Sequence, residues 1–145
     1  MIFNLTKKRL VASNPAFFTC SFLGISKILR NDFRKNDAIV FQNNEYLVTF
    51  MIKLEIDFIF TNIENQACKI ISCNQKRKLY VGSFKASHII CLSGGMIKNL
   101  NIENGDKFNL NIELSTEFKR KLEKRISDGV ISSPGILFKG QNRKI

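Results

Sequence analysis

The sequence predicts a small α+β protein that is mainly β: a closed or half-open β-barrel with one or two short helices and a C-terminal amphipathic helix. Two observations predict this class. Every second residue from Tyr46 to Phe60 is apolar, the period of a strand, and apolar residues recur at every fourth position after Leu114, the period of a helix. The 145 residues allow one compact domain and an appendage. We therefore divide the chain into a β-rich domain over 1–114 and a basic C-terminal extension over 115–145.

The N-terminal part of the chain carries weaker signals. Residues 2–5 predict a short strand. Asn14-Pro15 precedes aromatic and aliphatic residues over 16–29, whose spacings favour a helix. Residues 38–41 form a short apolar run between two Asn-containing turns, which predicts a buried strand.

The centre of the predicted fold is a β-hairpin. The alternating segment 46–60 is too long for one ordinary strand, so we expect a bend or break at the charged positions 53–55. The polar residues 62–65 predict a turn. Residues 67–73 then return as a second strand.

A second β-rich stretch follows. Residues 86–92 predict a strand, Ser93-Gly94-Gly95 ends it, and 96–100 is long enough for one helical turn. Gly105-Asp106 predicts a turn into a last strand over 107–114.

The C-terminal extension predicts a helix over about 116–127, followed by a tail. Leu114, Phe118, Leu122 and Ile126 form its apolar stripe. Eight basic and three acidic residues over 115–145 give this segment +5 of the net charge of +11. The basic residues that we single out as anion or partner contacts are Lys119, Arg120, Lys121, Lys124, Arg125, Arg143 and Lys144.

The net charge points to an anionic partner such as nucleic acid. A composition rich in Lys, Asn and Ile is also what an A/T-rich genome imposes without selection for binding. The N-terminal sequence resembles neither a signal peptide nor a membrane-spanning segment, so we expect a cytoplasmic protein with four free cysteines. With one histidine, and with Cys68 and Cys73 separated by four residues, we expect no metal and no cofactor.

Two segments resemble the domain of unknown function 192 family. The first is the run 37–41 followed by 49–60, which is similar to the family's aromatic, basic and Ile-Asp strand motif. The second, 86–95 through Gly105-Asp106, is similar to its strand, glycine turn, short helix and Gly-Asp turn. The chain departs from the pattern at Val48, where a histidine is frequent, and at Glu55, where a proline is frequent. The resemblance covers about 12–114; it implies a compact β-rich domain and no established activity.

A candidate polar site combines two groups of residues. Thr49, Lys53 and Asp57 share one side of the alternating segment and could hold a polar ligand. Backbone amides of Ser93, Gly94 and Gly95 could cradle an anion at a helix entry. In the competing interpretation, Asp57 accepts hydrogen bonds from turn amides, Lys53 is its ion-pair partner, and the glycines only admit the helix.

We assign no catalytic residue. In a strand, His88 and Cys91 point to opposite faces, and the chain has no second histidine. The leading hypothesis is therefore a non-enzymatic binding or accessory module whose basic extension docks on an anionic or protein partner. The alternatives are a small-molecule-binding protein or enzyme built around the candidate polar site, and a structural subunit of a larger assembly.

Overall fold

The computed structural model describes residues 1–19, 28–29, 33, 35–48, 54–72, 80–83, 85–110 and 116–129. Within these ranges the chain forms strands and the helices α1 and α2, and Ile28 and Leu29 are also helical. The strands are β1 Ile2–Asn4, β2 Arg9–Ala12, β3 Pro15–Phe18, β4 Ala38–Phe41, β5 Tyr46–Val48, β6 Ile56–Thr61, β7 Ala67–Ile71, β8 Tyr80–Gly82 and β9 His88–Ser93. Helix α1 spans Met96–Asn99 and helix α2 spans Thr116–Ser127.

A five-stranded sheet in the order β3-β4-β9-β6-β7 forms the body of the protein. Strands β3 and β4 are parallel, and the remaining neighbours are antiparallel. Strands β1 and β2 form one two-stranded sheet, and β5 and β8 form another. The prediction of a small, mainly β fold is confirmed. The described strands do not close into a ring, so the barrel stays a prediction.

The central strands are buried on both faces because apolar side chains occupy both sides of each. All six residues of β6 and all four of β4 are buried. On one face, Val40, Ile59 and Ile90 pack in a core that also includes residues of β1, β2 and α1. On the other face, Phe58 and Phe60 belong to a second core that includes Leu29. The sheet therefore needs a layer on each side.

The predicted hairpin is confirmed. Strands β6 and β7 are antiparallel partners, and the turn between them is held by the Oδ1 atom of Asn62, which accepts the amides of Glu64 and Gln66 at 2.9 and 3.0 Å. The described residues on either side of 53–55 are consistent with the expected break in the alternating segment. Strands β5 and β6 lie in different sheets, and Glu55 belongs to no strand.

The helix prediction over 16–29 is wrong at its start. Residues Pro15–Phe18 form β3, which pairs in parallel with β4. The carboxylate of Asp37 fixes this pairing by accepting the amides of Ser13 and Asn14 at 2.7 and 2.9 Å. These partners are more than twenty residues apart, so a local periodicity could not reveal them.

Two further sequence predictions concern the C-terminal half. The described part of the expected strand 107–114 makes isolated bridges, at Lys107 and Phe108, in place of a continuous strand. The C-terminal helix spans the predicted residues and is followed by Gly129 at φ 76°. Of its predicted apolar stripe, Ile126 is half-buried, whereas Leu114 and the side chains of Phe118 and Leu122 lie outside the described part. Neither α1 nor α2 could cross a bilayer, being too short and too polar.

Candidate functional site

Asp57 is the one residue of the predicted strand-borne triad that the structure describes. It lies in the central strand β6 and is fully buried. Its Oδ2 atom accepts the backbone N–H of Ile97, in the first turn of α1, at 2.8 Å. Thr49 and Lys53 lie outside the described residues. The carboxylate therefore supplies the acceptor that a helix N-terminus needs, because the N-cap residue, Gly95, has no side chain to supply it.

The turn Ser93-Gly94-Gly95 connects β9 to α1, and its two glycines have separate structural roles. A Cβ atom on Gly94 would lie 2.8 Å from the Cβ of Glu55, whose carbonyl accepts the Gly94 amide at 2.9 Å. Gly95 has φ 92°, a left-handed conformation that other residues rarely adopt. Close packing and backbone conformation thus account for both glycines. With the amide of Ile97 bonded to Asp57, these contacts favour the structural interpretation of this site over a ligand cradle.

His88 is buried and uncharged. Its Nδ1 atom accepts the backbone N–H of Asn43 at 3.0 Å, and burial lowers the imidazole pKa to about 4. A ring nitrogen that accepts an amide hydrogen bond carries no proton there. Cys91 is buried in the core on the opposite face of the sheet, and it lies with Phe58 rather than with His88. Within the described ranges, no group of three or more His, Cys, Asp and Glu residues is arranged to hold a metal ion.

The basic residues of α2 are exposed with one exception. Lys119, Arg120, Lys121 and Lys124 all have exposed side chains. Arg120 and Lys124 are four residues apart, and Lys121 is three residues before Lys124, so these three share one face of the helix. We call Arg120, Lys121 and Lys124 the basic face. Of the remaining predicted contacts, Arg143 and Lys144 lie outside the described residues.

Arg125 is the exception, because it holds α2 to the domain. Its guanidinium forms a two-point ion pair with Glu45, the residue before β5, with Nη2 at 2.6 Å from Oε1 and Nη1 bonded to Oε2. The two side chains are only 19% and 14% exposed. Burial lowers the pKa of Arg125, but the guanidinium stays charged at neutral pH. The basic face thus projects from a helix that is anchored at its C-terminal end.

We expect Glu45→Ala to loosen α2. A shielded two-point ion pair stabilises the contact between two elements more than an exposed pair does. Removing Glu45 also leaves the charge of Arg125 partly buried and without this partner. Amide hydrogen exchange in Thr116–Ser127 should become about tenfold faster, while exchange in β6 and β9 stays unchanged. The matched control is Glu103→Ala, which removes an exposed pair with Lys7 (N···O 2.9 Å) and should have little effect. Unchanged exchange in α2 would show that this ion pair does not anchor the helix.

The sequence reasoning missed two polar contacts that organise the fold. The anchor Glu45 is eighty residues from Arg125, and no local signal connects them. Buried Asn4 donates to Oδ2 of Asp106 at 2.8 Å and joins the N-terminal hairpin to the Gly105-Asp106 turn. The signal that could have identified Asp106 is its position directly after a turn glycine, where a carboxylate commonly accepts backbone amides.

Comparisons with known proteins find distant structural neighbours. No family model matches the chain, and no curated protein matches it. A protein of unknown function from Novosphingobium aromaticivorans DSM 12444 is 15% identical, over 50% of this chain and 56% of that one, with a TM-score of 0.45. A putative transcription regulator from Sinorhizobium meliloti 1021 is 17% identical, over 50% of this chain and 60% of that one, with a TM-score of 0.43. The match spans less than two thirds of each neighbour. The resemblance to the domain of unknown function 192 family stays a prediction.

Proposed function

We propose that this protein is a non-enzymatic, cytoplasmic binding or accessory module whose basic face contacts the phosphate backbone of a nucleic acid. The observation that carries the proposal is the joint arrangement of α2. Three exposed cations lie on one side of the helix, and Arg125, one turn after Lys121, fixes the helix to Glu45. Because α2 is anchored, its cationic face can contact phosphates without the entropic cost of first ordering a flexible segment.

The charge of the whole chain supports the same partner. A net charge of +11 attracts a polyanion over a distance of about one Debye length, roughly 8 Å at physiological salt. The extension contributes +5 of this charge, and Arg143 and Lys144 would add contacts beyond α2. The remaining domain, which we propose closes as a barrel or half-open barrel, would serve as the scaffold.

The alternative polar site receives less support. It requires Asp57 to face a cavity, whereas its carboxylate is buried and bonded to Ile97. We therefore do not extend the proposal to a small-molecule site. A protein partner in a larger assembly is the other outcome that the following test distinguishes.

We expect the triple variant Arg120→Gln, Lys121→Gln, Lys124→Gln to bind a fluorescein-labelled single-stranded RNA at least tenfold more weakly than the unmodified chain. Each lost phosphate contact removes counterion release and its share of the binding free energy. The measurement is fluorescence anisotropy on the intact chain at about physiological salt.

The matched control is Arg9→Gln, Lys98→Gln, Lys107→Gln. This control also removes three positive charges, but from exposed positions of the β-rich domain. If both variants lose affinity equally, the effect comes from net charge and not from the basic face. If the unmodified chain binds no nucleic acid, while a protein captured by it is lost with the basic face, the assembly interpretation replaces this one.

A further inference from the structure

One face of the N-terminal β1–β2 hairpin is apolar and exposed. Phe3, Leu5 and Leu10 are 36%, 50% and 43% exposed, while Ile2 and Asn4 are buried. Because side chains alternate along a strand, Phe3 lies on the outward side of β1, between buried Ile2 and Asn4, and exposed Leu5 follows directly after the strand. Leu10 is the antiparallel partner of Phe3 and so shares that side. Three apolar side chains thus lie together and face away from the core.

The same face continues onto the segment that pairs with the other edge of β1. The Leu5 amide donates to the Lys107 carbonyl at 2.7 Å, and the Asn109 amide donates to the Phe3 carbonyl at 3.2 Å. In this antiparallel register Lys107 lies opposite Leu5 on the outward side, and its side chain is exposed. Lys8, also exposed, lies in the hairpin turn. We call Phe3, Leu5, Leu10, Lys8 and Lys107 the hairpin face.

We propose that the hairpin face docks on the surface of an anionic lipid bilayer. The apolar side chains would enter the headgroup region, and Lys8 and Lys107 would lie beside lipid phosphates. Contiguous exposed apolar side chains bordered by cations are typical of such a surface. Within the described part of the chain, two carboxylates contact this hairpin, and both bond residues outside the hairpin face: Glu103 pairs with Lys7, and Asp106 accepts the side-chain N–H of buried Asn4.

Charge complementarity favours an anionic bilayer as the partner of the hairpin face. The hairpin face contains two cations and no carboxylate, and the whole chain carries +11. Like charges oppose a second copy of the chain, whereas an anionic bilayer satisfies both parts of the face at once. The hairpin face shares no residue with α2, so the inference does not depend on the proposed contact with nucleic acid.

The test is co-sedimentation of the intact chain with vesicles of phosphatidylcholine alone or with about a third phosphatidylglycerol. We expect binding to the anionic vesicles, and at least a tenfold loss of partitioning for Phe3→Ser, Leu10→Ser. The matched control is Phe17→Ser, Leu54→Ser, which removes an equally exposed Phe and Leu from elsewhere in the fold and should bind like the unmodified chain.

A second variant keeps the inference testable if the serine pair does not fold. Lys8→Gln, Lys107→Gln leaves the apolar contacts intact and should weaken binding to anionic vesicles severalfold, and more so at low salt. The variant Arg120→Gln, Lys121→Gln, Lys124→Gln should keep most vesicle binding and lose RNA binding. The variant Phe3→Ser, Leu10→Ser should lose vesicle binding and keep RNA binding. Absence of binding to anionic vesicles, or equal losses in the hairpin and control pairs, would overturn the inference. So would a dimer in analytical ultracentrifugation that Phe3→Ser, Leu10→Ser converts to a monomer, because the face would then serve self-association.

Discussion

Replacing Asp57 with alanine should lower the free energy of unfolding by about 3 kcal/mol, because it leaves the buried amide of Ile97 without an acceptor. The carboxylate is fully buried, and its Oδ2 atom lies 2.8 Å from that amide nitrogen. No side chain at Gly95 can replace it. Urea denaturation of the intact chain, with the m-value checked for two-state behaviour, measures the loss.

Two variants separate the cap from other effects of the substitution. Asp57→Asn keeps an acceptor oxygen and should lose about half as much free energy of unfolding as Asp57→Ala. Ser93→Ala changes an exposed residue of the adjoining turn and should change it by less than about 0.5 kcal/mol. If Asp57→Ala were as stable as the unmodified protein, Asp57 would not be a structural residue, and a ligand site around it would regain support.

Acidification from pH 7 to pH 4 should cost roughly 3 kcal/mol of stability through His88 alone, since its pKa is about 4 in the folded protein and 6.5 in the unfolded chain. The unfolded chain binds the proton in this window, and the folded protein does not. The stabilisation from keeping the imidazole neutral is therefore fully present above pH 6.5. It is lost progressively as the pH falls towards 4.

Carboxylates also contribute to acid unfolding, and a difference measurement removes their share. Burial raises the pKa of Asp37, but the hydrogen bonds from Ser13 and Asn14 together bring that pKa below 3.8. The stability that the ionised Asp37 carboxylate contributes is therefore lost only below that pH. This window lies below that of His88. Subtracting the pH profile of His88→Gln from that of the unmodified protein isolates the imidazole. Because the chain has one histidine, NMR titration of its single imidazole also reports the folded pKa directly. A folded pKa near 6.5 would contradict a buried, neutral His88.

The β6–β7 hairpin was predictable because its information is local. Alternating apolar residues define the strands, and Asn62 at the start of the polar segment both defines and stabilises the turn. The short helix α1 after Gly95 was predictable for the same reason, since a left-handed glycine commonly ends or begins an element.

Contacts between distant residues were not predictable from periodicity. Strand β3 forms because it finds β4 as a parallel partner more than twenty residues away, and its own composition is equally compatible with a helix. The sequence identified the cations of α2 but could not separate Arg125 from the basic face. Glu45, the partner of Arg125, is eighty residues away in the chain, and charge alone does not show which of several cations forms an ion pair with it.

The dependence of RNA affinity on salt tests the central claim most directly. If the basic face contacts phosphates, the logarithm of the dissociation constant should rise linearly with the logarithm of the salt concentration, and Arg120→Gln, Lys121→Gln, Lys124→Gln should reduce that slope by about 2. The control Arg9→Gln, Lys98→Gln, Lys107→Gln should leave the slope nearly unchanged. A slope that is the same in the unmodified chain and the α2 variant would mean that these residues touch no phosphate, and that the anchored helix has another role.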